Sequence, residues 1–146
     1  LDKDGKLIRQ WLAYNPETRR GVSLTTGSID ASGRRGIVTV PMNGRPLVRA
    51  FDGSGEPFVP AGHEEALAFY ATDDDFAGGG RVSVADIDFD GIQEILVVLG
   101  APRSNEVLAF EADGSPVEGF TSFAPFATGA EGGETTIVAT DRFVRR

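Results

Sequence analysis

The 146-residue sequence has no cysteine, a single histidine, one methionine and one tryptophan. Without cysteine no disulfide forms and no thiol nucleophile exists, while the redox compartment is left open. His63-Glu64 opens like a zinc-protease motif, but the second histidine is missing, because position 67 is Leu67. His63 reads as an exposed loop residue, and no Ser-His-Asp arrangement is recognisable around it. Long apolar runs are missing too. The longest purely aliphatic stretch is Ile95 to Leu99, far short of the ~20 residues that span a membrane. Basic residues are outnumbered, 14 against 22 acidic, and the formal charge of −8 argues against a nucleic-acid partner. The pairs Arg19-Arg20, Arg34-Arg35 and Arg145-Arg146 are most simply surface charges. No signal peptide is visible, and the chain opens on Leu1, as expected of a mature or excised piece.

Glycine and proline are plentiful, at 19 and 8 residues. Few segments combine helical periodicity with helix-forming composition, so the expectation is an all-β chain rich in turns. The length suits one domain, and 40% hydrophobic with 25% charged residues is ordinary for a globular protein.

The most informative stretch is Val82-Ser83-Val84-Ala85-Asp86-Ile87-Asp88-Phe89-Asp90-Gly91-Ile92-Gln93-Glu94-Ile95-Leu96-Val97-Val98. Asp86, Asp88, Asp90 and Glu94 occupy positions 1, 3, 5 and 9 of a loop with Gly91 at position 6. That is the spacing of carboxylates in a calcium loop, with the carbonyl of Ile92 at position 7. An EF-hand would also need an acid at position 12 and flanking helices. Position 12 is Val97 and both flanks read as strands, so the expectation is a tight strand-to-strand connection closed around Ca²⁺.

The chain repeats itself. Ile29-Asp30-Ala31-Ser32-Gly33 followed by Ile37-Val38-Thr39-Val40 returns 58 residues later as Ile87-Asp88-Phe89-Asp90-Gly91 and Ile95-Leu96-Val97-Val98. Turn signals recur at Asp2-Lys3-Asp4-Gly5, Asp52-Gly53-Ser54-Gly55 and Glu111-Ala112-Asp113-Gly114. Trp11, Phe69 and Phe123 recur at equivalent places and are expected as core between adjacent sheets. Phe58 to Glu65 is an extra loop of the first unit. The strands expected in the first unit are 22–29, 36–41, 46–52 and 66–72, and in the second 81–86, 94–99, 106–111 and 116–126. Residues 62–71 are the one place where a short helical turn competes with strand. Four short strands per unit, joined by tight turns, describe blades of a β-propeller. The expected division is a last hairpin of a preceding blade in 1–21, full blades in 22–80 and 81–134, and the first strand of a following blade in 135–146. This makes an incomplete propeller of about two and a half blades built from four-stranded antiparallel sheets.

These residues resemble the FG-GAP (VCBS-type) repeats of integrin α-subunit propellers and bacterial extracellular proteins. The motif Val84-Ala85-Asp86-Ile87-Asp88-Phe89-Asp90-Gly91 with Glu94-Ile95 carries the resemblance. Phe76-Ala77-Gly78-Gly79, Val107-Leu108-Ala109-Phe110 and Trp11-Leu12-Ala13-Tyr14-Asn15-Pro16 accompany it. The resemblance implies a calcium-stabilised binding, adhesion or scaffolding module, located outside the cell, at its surface or in a periplasm. Two departures stand out. A closed propeller has more blades than this chain supplies, so partners are expected from further blades of a longer chain, another chain or self-association. The first unit's loop has also lost its ligands, with Ser28, Ser32 and Gly36 at positions 1, 5 and 9 and only Asp30 acidic.

In an antiparallel meander alternate loops share a side. The loop 86–94 and the hairpins near 52–56 and 111–115 should lie on one face, and the loops 41–46, 73–80, 99–105 and 127–134 on the other. In the family this chain resembles, protein or glycan ligands engage that second face, which makes Asn43, Arg45, Asp73, Asp74 and Arg103 candidates for partner binding. Asp73-Asp74-Asp75 reads otherwise as a solvated loop. Gly78-Gly79-Gly80 lacks the lysine and helix of a phosphate cradle and reads as close backbone approach. The alternative function is a polysaccharide-directed hydrolase or lyase of propeller fold, since fold does not decide function. No catalytic constellation is found for it.

Overall fold

The computed structural model describes residues 1–18, 21–103 and 106–120. Runs of β-branched and aliphatic residues become strands β1 (Val22–Gly27), β2 (Gly36–Pro41), β3 (Leu47–Phe51), β4 (Ala68–Tyr70), β5 (Gly80–Ala85), β6 (Glu94–Leu99) and β7 (Val107–Phe110), and no helix forms among the described residues. Residues 61–66 are turns, so the competing helical turn is not adopted. The strands build two open antiparallel meanders, ordered β1-β2-β3-β4 and β5-β6-β7. Register is set by alternation: Thr25 pairs Val38 and Ser23 pairs Val40 in the first sheet, while Val84 pairs Ile95 and Val82 pairs Val97 in the second.

The two sheets share one core. Val38, Val40, Val48 and Ala50 of the first cluster with Val82, Val84, Ile95, Val97 and Leu99 of the second. The first strands of the two sheets meet, since the Val82 amide donates to Ser23 Oγ at 3.1 Å. A Cβ on Gly27 would stand 2.5 Å from the Val84 side chain, so only glycine admits this approach. β6 is buried along its whole length. That is why its sequence runs continuously apolar after Glu94 instead of alternating.

The sequence repeat is also a repeat of hydrogen bonds. In residues 2–6, 52–56 and 111–115 the first amide donates to the fifth carbonyl, at 2.9 Å in each copy. The fourth amide, that of Gly5, Gly55 or Gly114, donates back to the first carbonyl at 3.0 Å. These glycines have φ of 79°, 86° and 84°. This is the three-residue hairpin loop closed by a left-handed glycine. The turn glycine of the second copy is therefore Gly55, not the Gly53 of its Asp-Gly pair. An aromatic ring from the preceding segment covers the turn twice. Trp11 lies on Gly55 and on Phe51, centroids 6.2 Å apart, and Phe69 lies on Gly114 and on Phe110, centroids 4.9 Å apart.

Beyond those turns the strand resumes as the bridges Phe51 to Pro57 and Phe110 to Pro116. In the first unit the extra loop then departs, closed where the Leu67 amide donates to the Phe58 carbonyl at 2.8 Å, and β4 follows. Of the strand expected over 116–126, residues 116–120 are described; they hold the Pro116 bridge and a turn, and the rest lies outside the described residues. Phe123, the loop 127–134, the strand within 135–146 and the pairs Arg19-Arg20 and Arg145-Arg146 also lie outside them. In residues 1–18 the turn at Asp2–Lys6 is present without any strand.

Candidate metal centre

The loop that joins β5 to β6 begins with Asp86 and ends with Glu94, the first residue of β6. The hairpin it closes is pinned by the Val84–Ile95 and Ala85–Glu94 pairs. Inside the loop, Phe89 takes φ of 66° and Gly91 takes 94°. These left-handed residues fold the chain back so that successive aspartates face one point. Asp86, Asp88, Asp90 and Glu94 each offer a carboxylate oxygen, and the four oxygens lie within 4.8 Å of one another. The structure thus brings together all four side chains expected to share an ion. Ile92, expected to contribute its carbonyl, lies in the same loop.

Each carboxylate is held by a loop amide. Gly91 donates to Asp86 Oδ2 at 3.1 Å, Asp90 to Asp88 Oδ1 at 3.1 Å, and Ile92 to Asp90 Oδ1 at 2.7 Å. The Ile87 amide donates to Glu94 Oε2 at 2.6 Å. One oxygen of every carboxylate is therefore fixed by the fold, which orients the other. Asp86 Oδ1 is enclosed and has no hydrogen-bond partner. An enclosed carboxylate oxygen without a donor costs free energy, and a cation is one partner that removes the cost. Glu94 is 2% exposed. Burial pushes its carboxyl up to about 7, and the charges of Asp88 and Glu111 add to the rise against the opposing Ile87 hydrogen bond. The donor set is all oxygen, with four carboxylates in nine residues, which fits a hard cation.

The equivalent loop of the first unit shows what happens without that set. Asp30, at the place of Asp88, is 6% exposed and fully engaged. Its Oδ1 accepts the Ser32 amide at 3.0 Å and the Ser32 hydroxyl, and its Oδ2 accepts the Ala61 amide at 2.8 Å. Arg34 Nη2 stands 3.7 Å from Oδ2, and the same nitrogen donates to the Val59 carbonyl at 2.9 Å while the guanidinium lies over the Phe58 ring. Burial raises the Asp30 carboxyl, but the Ser32 hydroxyl, the two amides and Arg34 outweigh it and hold it below the ordinary aspartate range. Ala61 and Val59 belong to the extra loop. The insertion therefore closes over the first unit's loop and supplies protein donors where the second unit gathers carboxylates. The two loops are also tied side by side: the Ser28 amide donates to Gln93 Oε1 and the Gln93 amide to the Ser28 carbonyl, both at 2.9 Å. Nothing in the sequence marked Gln93 for this role.

The three loops that carry the five residues expected on the opposite side are linked by backbone hydrogen bonds. The Gly44 amide donates to the Ala77 carbonyl, that of Gly79 to the Gly44 carbonyl, and that of Gly100 to the Gly79 carbonyl, at 2.8–2.9 Å. Asn43 and Asp73 are exposed. Arg45 lies over the Tyr70 ring at 3.9 Å. Arg103 joins Asp74 at 2.8 Å and Glu106 through two nitrogens, and its guanidinium lies over the Phe76 ring. Arg103 and Asp74 thus clamp two loops to each other. Gly78-Gly79-Gly80 sits in the same seam. A Cβ on Gly79 would fall 2.3 Å from the Asn43 nitrogen, and one on Gly78 would fall 2.3 Å from the Ala101 carbonyl oxygen. Close backbone approach accounts for these glycines.

Comparison with known proteins gave no matching family model, no matching curated protein and no matching solved structure.

Proposed function

We propose that this chain is a calcium-stabilised part of a β-propeller of the FG-GAP/VCBS kind, acting as an extracellular binding, adhesion or scaffolding module. One observation carries the reading: four carboxylates converge in the loop 86–94 with the enclosed Asp86 Oδ1 unpartnered, while the matching loop of the first unit has every oxygen of Asp30 engaged. The propeller part is supported by the face-to-face packing of two meanders whose first strands meet, and by the turn, bridge and aromatic contacts that repeat between them. Asp86, Asp88, Asp90 and Glu94 would hold Ca²⁺ through side chains, with the Ile92 carbonyl and water completing the shell. Magnesium fits less well, because it prefers a tighter octahedron and keeps its waters.

The ion's chemistry here is structural. It would neutralise four mutually repelling carboxylates and fix the mouth of the β5–β6 hairpin. With an affinity like that of extracellular modules, about 10⁻⁴ M, millimolar calcium would add about 1.4 kcal/mol to stability. Thermal unfolding in calcium and in chelator tests this on the wild type and on Asp88→Ala. The reading expects a calcium-dependent rise in the melting temperature of the wild type that Asp88→Ala abolishes. Identical melting of the wild type in both conditions would refute it.

A further inference from the structure

Glu111 follows β7, and the last ladder pair before it, Ile95 with Phe110, sets it one step from Glu94 if the register continues. Continued by one residue, that register puts Glu94 and Glu111 opposite each other on one face of the sheet, and the charge of Glu111 acts on Glu94. Like charges directly opposite one another in an antiparallel pair are destabilising, the more so when one of them is as buried as Glu94. The first unit avoids this pairing, because Gly36 stands where Glu94 does and Asp52 where Glu111 does.

The turn chemistry shows that Glu111 is not spent on its own hairpin. In the matching turns the first residue is an aspartate that caps the loop. Asp2 Oδ1 accepts the Asp4 and Lys6 amides, and Asp52 Oδ1 accepts the Ser54 amide, the Ser54 hydroxyl and the Glu56 amide. In the third turn that work passes to Asp113, whose Oδ1 accepts the Ser115 amide and hydroxyl. The longer Glu111 side chain is released from capping and stands among acids. Burial raises its carboxyl, and the charges of Asp88, Asp90 and Asp113 raise it further, which places it within the electrostatic reach of the metal loop.

We propose that Glu111 is a fifth carboxylate of the cation site, reaching the ion from the neighbouring strand directly or through one water. The proposal rests on the metal reading of the loop 86–94, which the enclosed, unpartnered Asp86 Oδ1 supports. A fifth carboxylate from outside the loop does two things. It raises the charge that favours Ca²⁺, and it ties the β7 end of the sheet to the β5–β6 loop through the ion. Ion binding then closes the edge of the second sheet as well as its hairpin.

The test is calcium titration of the full chain by calorimetry for wild type, Glu111→Gln and Asp113→Asn, with unfolding of each in chelator. Removing a carboxylate one water away from a dication weakens binding about tenfold even at the dielectric of water, and one in direct contact by more. The proposal expects that loss for Glu111→Gln, little change for Asp113→Asn, and a calcium-free Glu111→Gln at least as stable as the wild type because a like-charge pair is gone. Unchanged affinity in Glu111→Gln would exclude it from the site while leaving the loop's calcium intact. An equal loss in Asp113→Asn would reduce the effect to the general field of the face and overturn the proposal. Failure of the wild type to bind calcium would overturn the metal reading itself.

Discussion

Two aspartates at the same place in the repeat have opposite fates. Asp88 uses one oxygen on the Asp90 amide and faces three other acids, whereas Asp30 is saturated by Ser32, Ala61 and Arg34. Asp30 should therefore act as a stabilising charge without any ion. Its folded-state pKa is lowered, so its contribution is fully present above the unfolded value near 3.9 and is lost as pH falls through the folded one. Asp30→Asn is expected to cost about 2 kcal/mol at neutral pH, the worth of charge-assisted hydrogen bonds left imperfectly made. The gap to wild type should shrink below about pH 4, measured by urea unfolding across pH. A gap that persists unchanged at low pH would show that packing, not charge, is what Asp30 supplies. Gly79 offers a second test. At φ of 68°, with a Cβ position 2.3 Å from backbone atoms of Met42 and Asn43, Gly79→Ala combines left-handed strain with overpacking. A loss of about 3 kcal/mol is expected in the same unfolding experiment. A loss below about 1 kcal/mol would mean that the loop seam relaxes freely.

At the scale of the elements, the strands were legible because their physics is local. Alternation and β-branching placed all seven observed strands, with ends within two residues, and the continuous apolar run from Ile95 is explained by the burial of β6 along its length. The acidic loop was legible for the same reason, since its four side chains lie within nine residues. What was hidden depends on contacts distant in the chain. Nothing near Asp30 announces that Ala61, 31 positions away, donates to it, nor that Gln93 reaches back 65 positions to Ser28. In the second turn the Asp52-Gly53 pair is the strong local signal. The hydrogen-bond frame shared with Gly5 and Gly114 selects Gly55 instead. Glu111 did carry a sequence signal, the replacement of the turn aspartate seen as Asp2 and Asp52, but its meaning needs the β6–β7 register.

At the scale of the whole molecule, exposed apolar side chains line part of the first sheet. Leu7, Ile8, Leu12 and Leu24 are each more than half exposed, and Trp11, Leu12, Val22, Leu24 and Ile37 line one groove on the outer face of the first sheet. Leu24 and Ile37 correspond by the 58-residue offset to Val82 and Ile95, which in the second sheet are covered by the first. The first sheet's outer face therefore presents the kind of surface that the second sheet buries. Leu24→Lys is expected to leave unfolding nearly unchanged and to lower any self-association of the chain in light scattering. Equal association of both proteins would place the sticky surface elsewhere. The two loops at equivalent places in the repeat differ: one gathers carboxylates that could hold a cation, and the other is supplied by its own insertion. Equilibrium dialysis of ⁴⁵Ca²⁺ against the full chain reads this most directly. The prediction is one calcium per chain in the wild type and in Asp30→Asn, and none in Asp88→Ala. A stoichiometry of zero, or two ions with one lost in each variant, would contradict it.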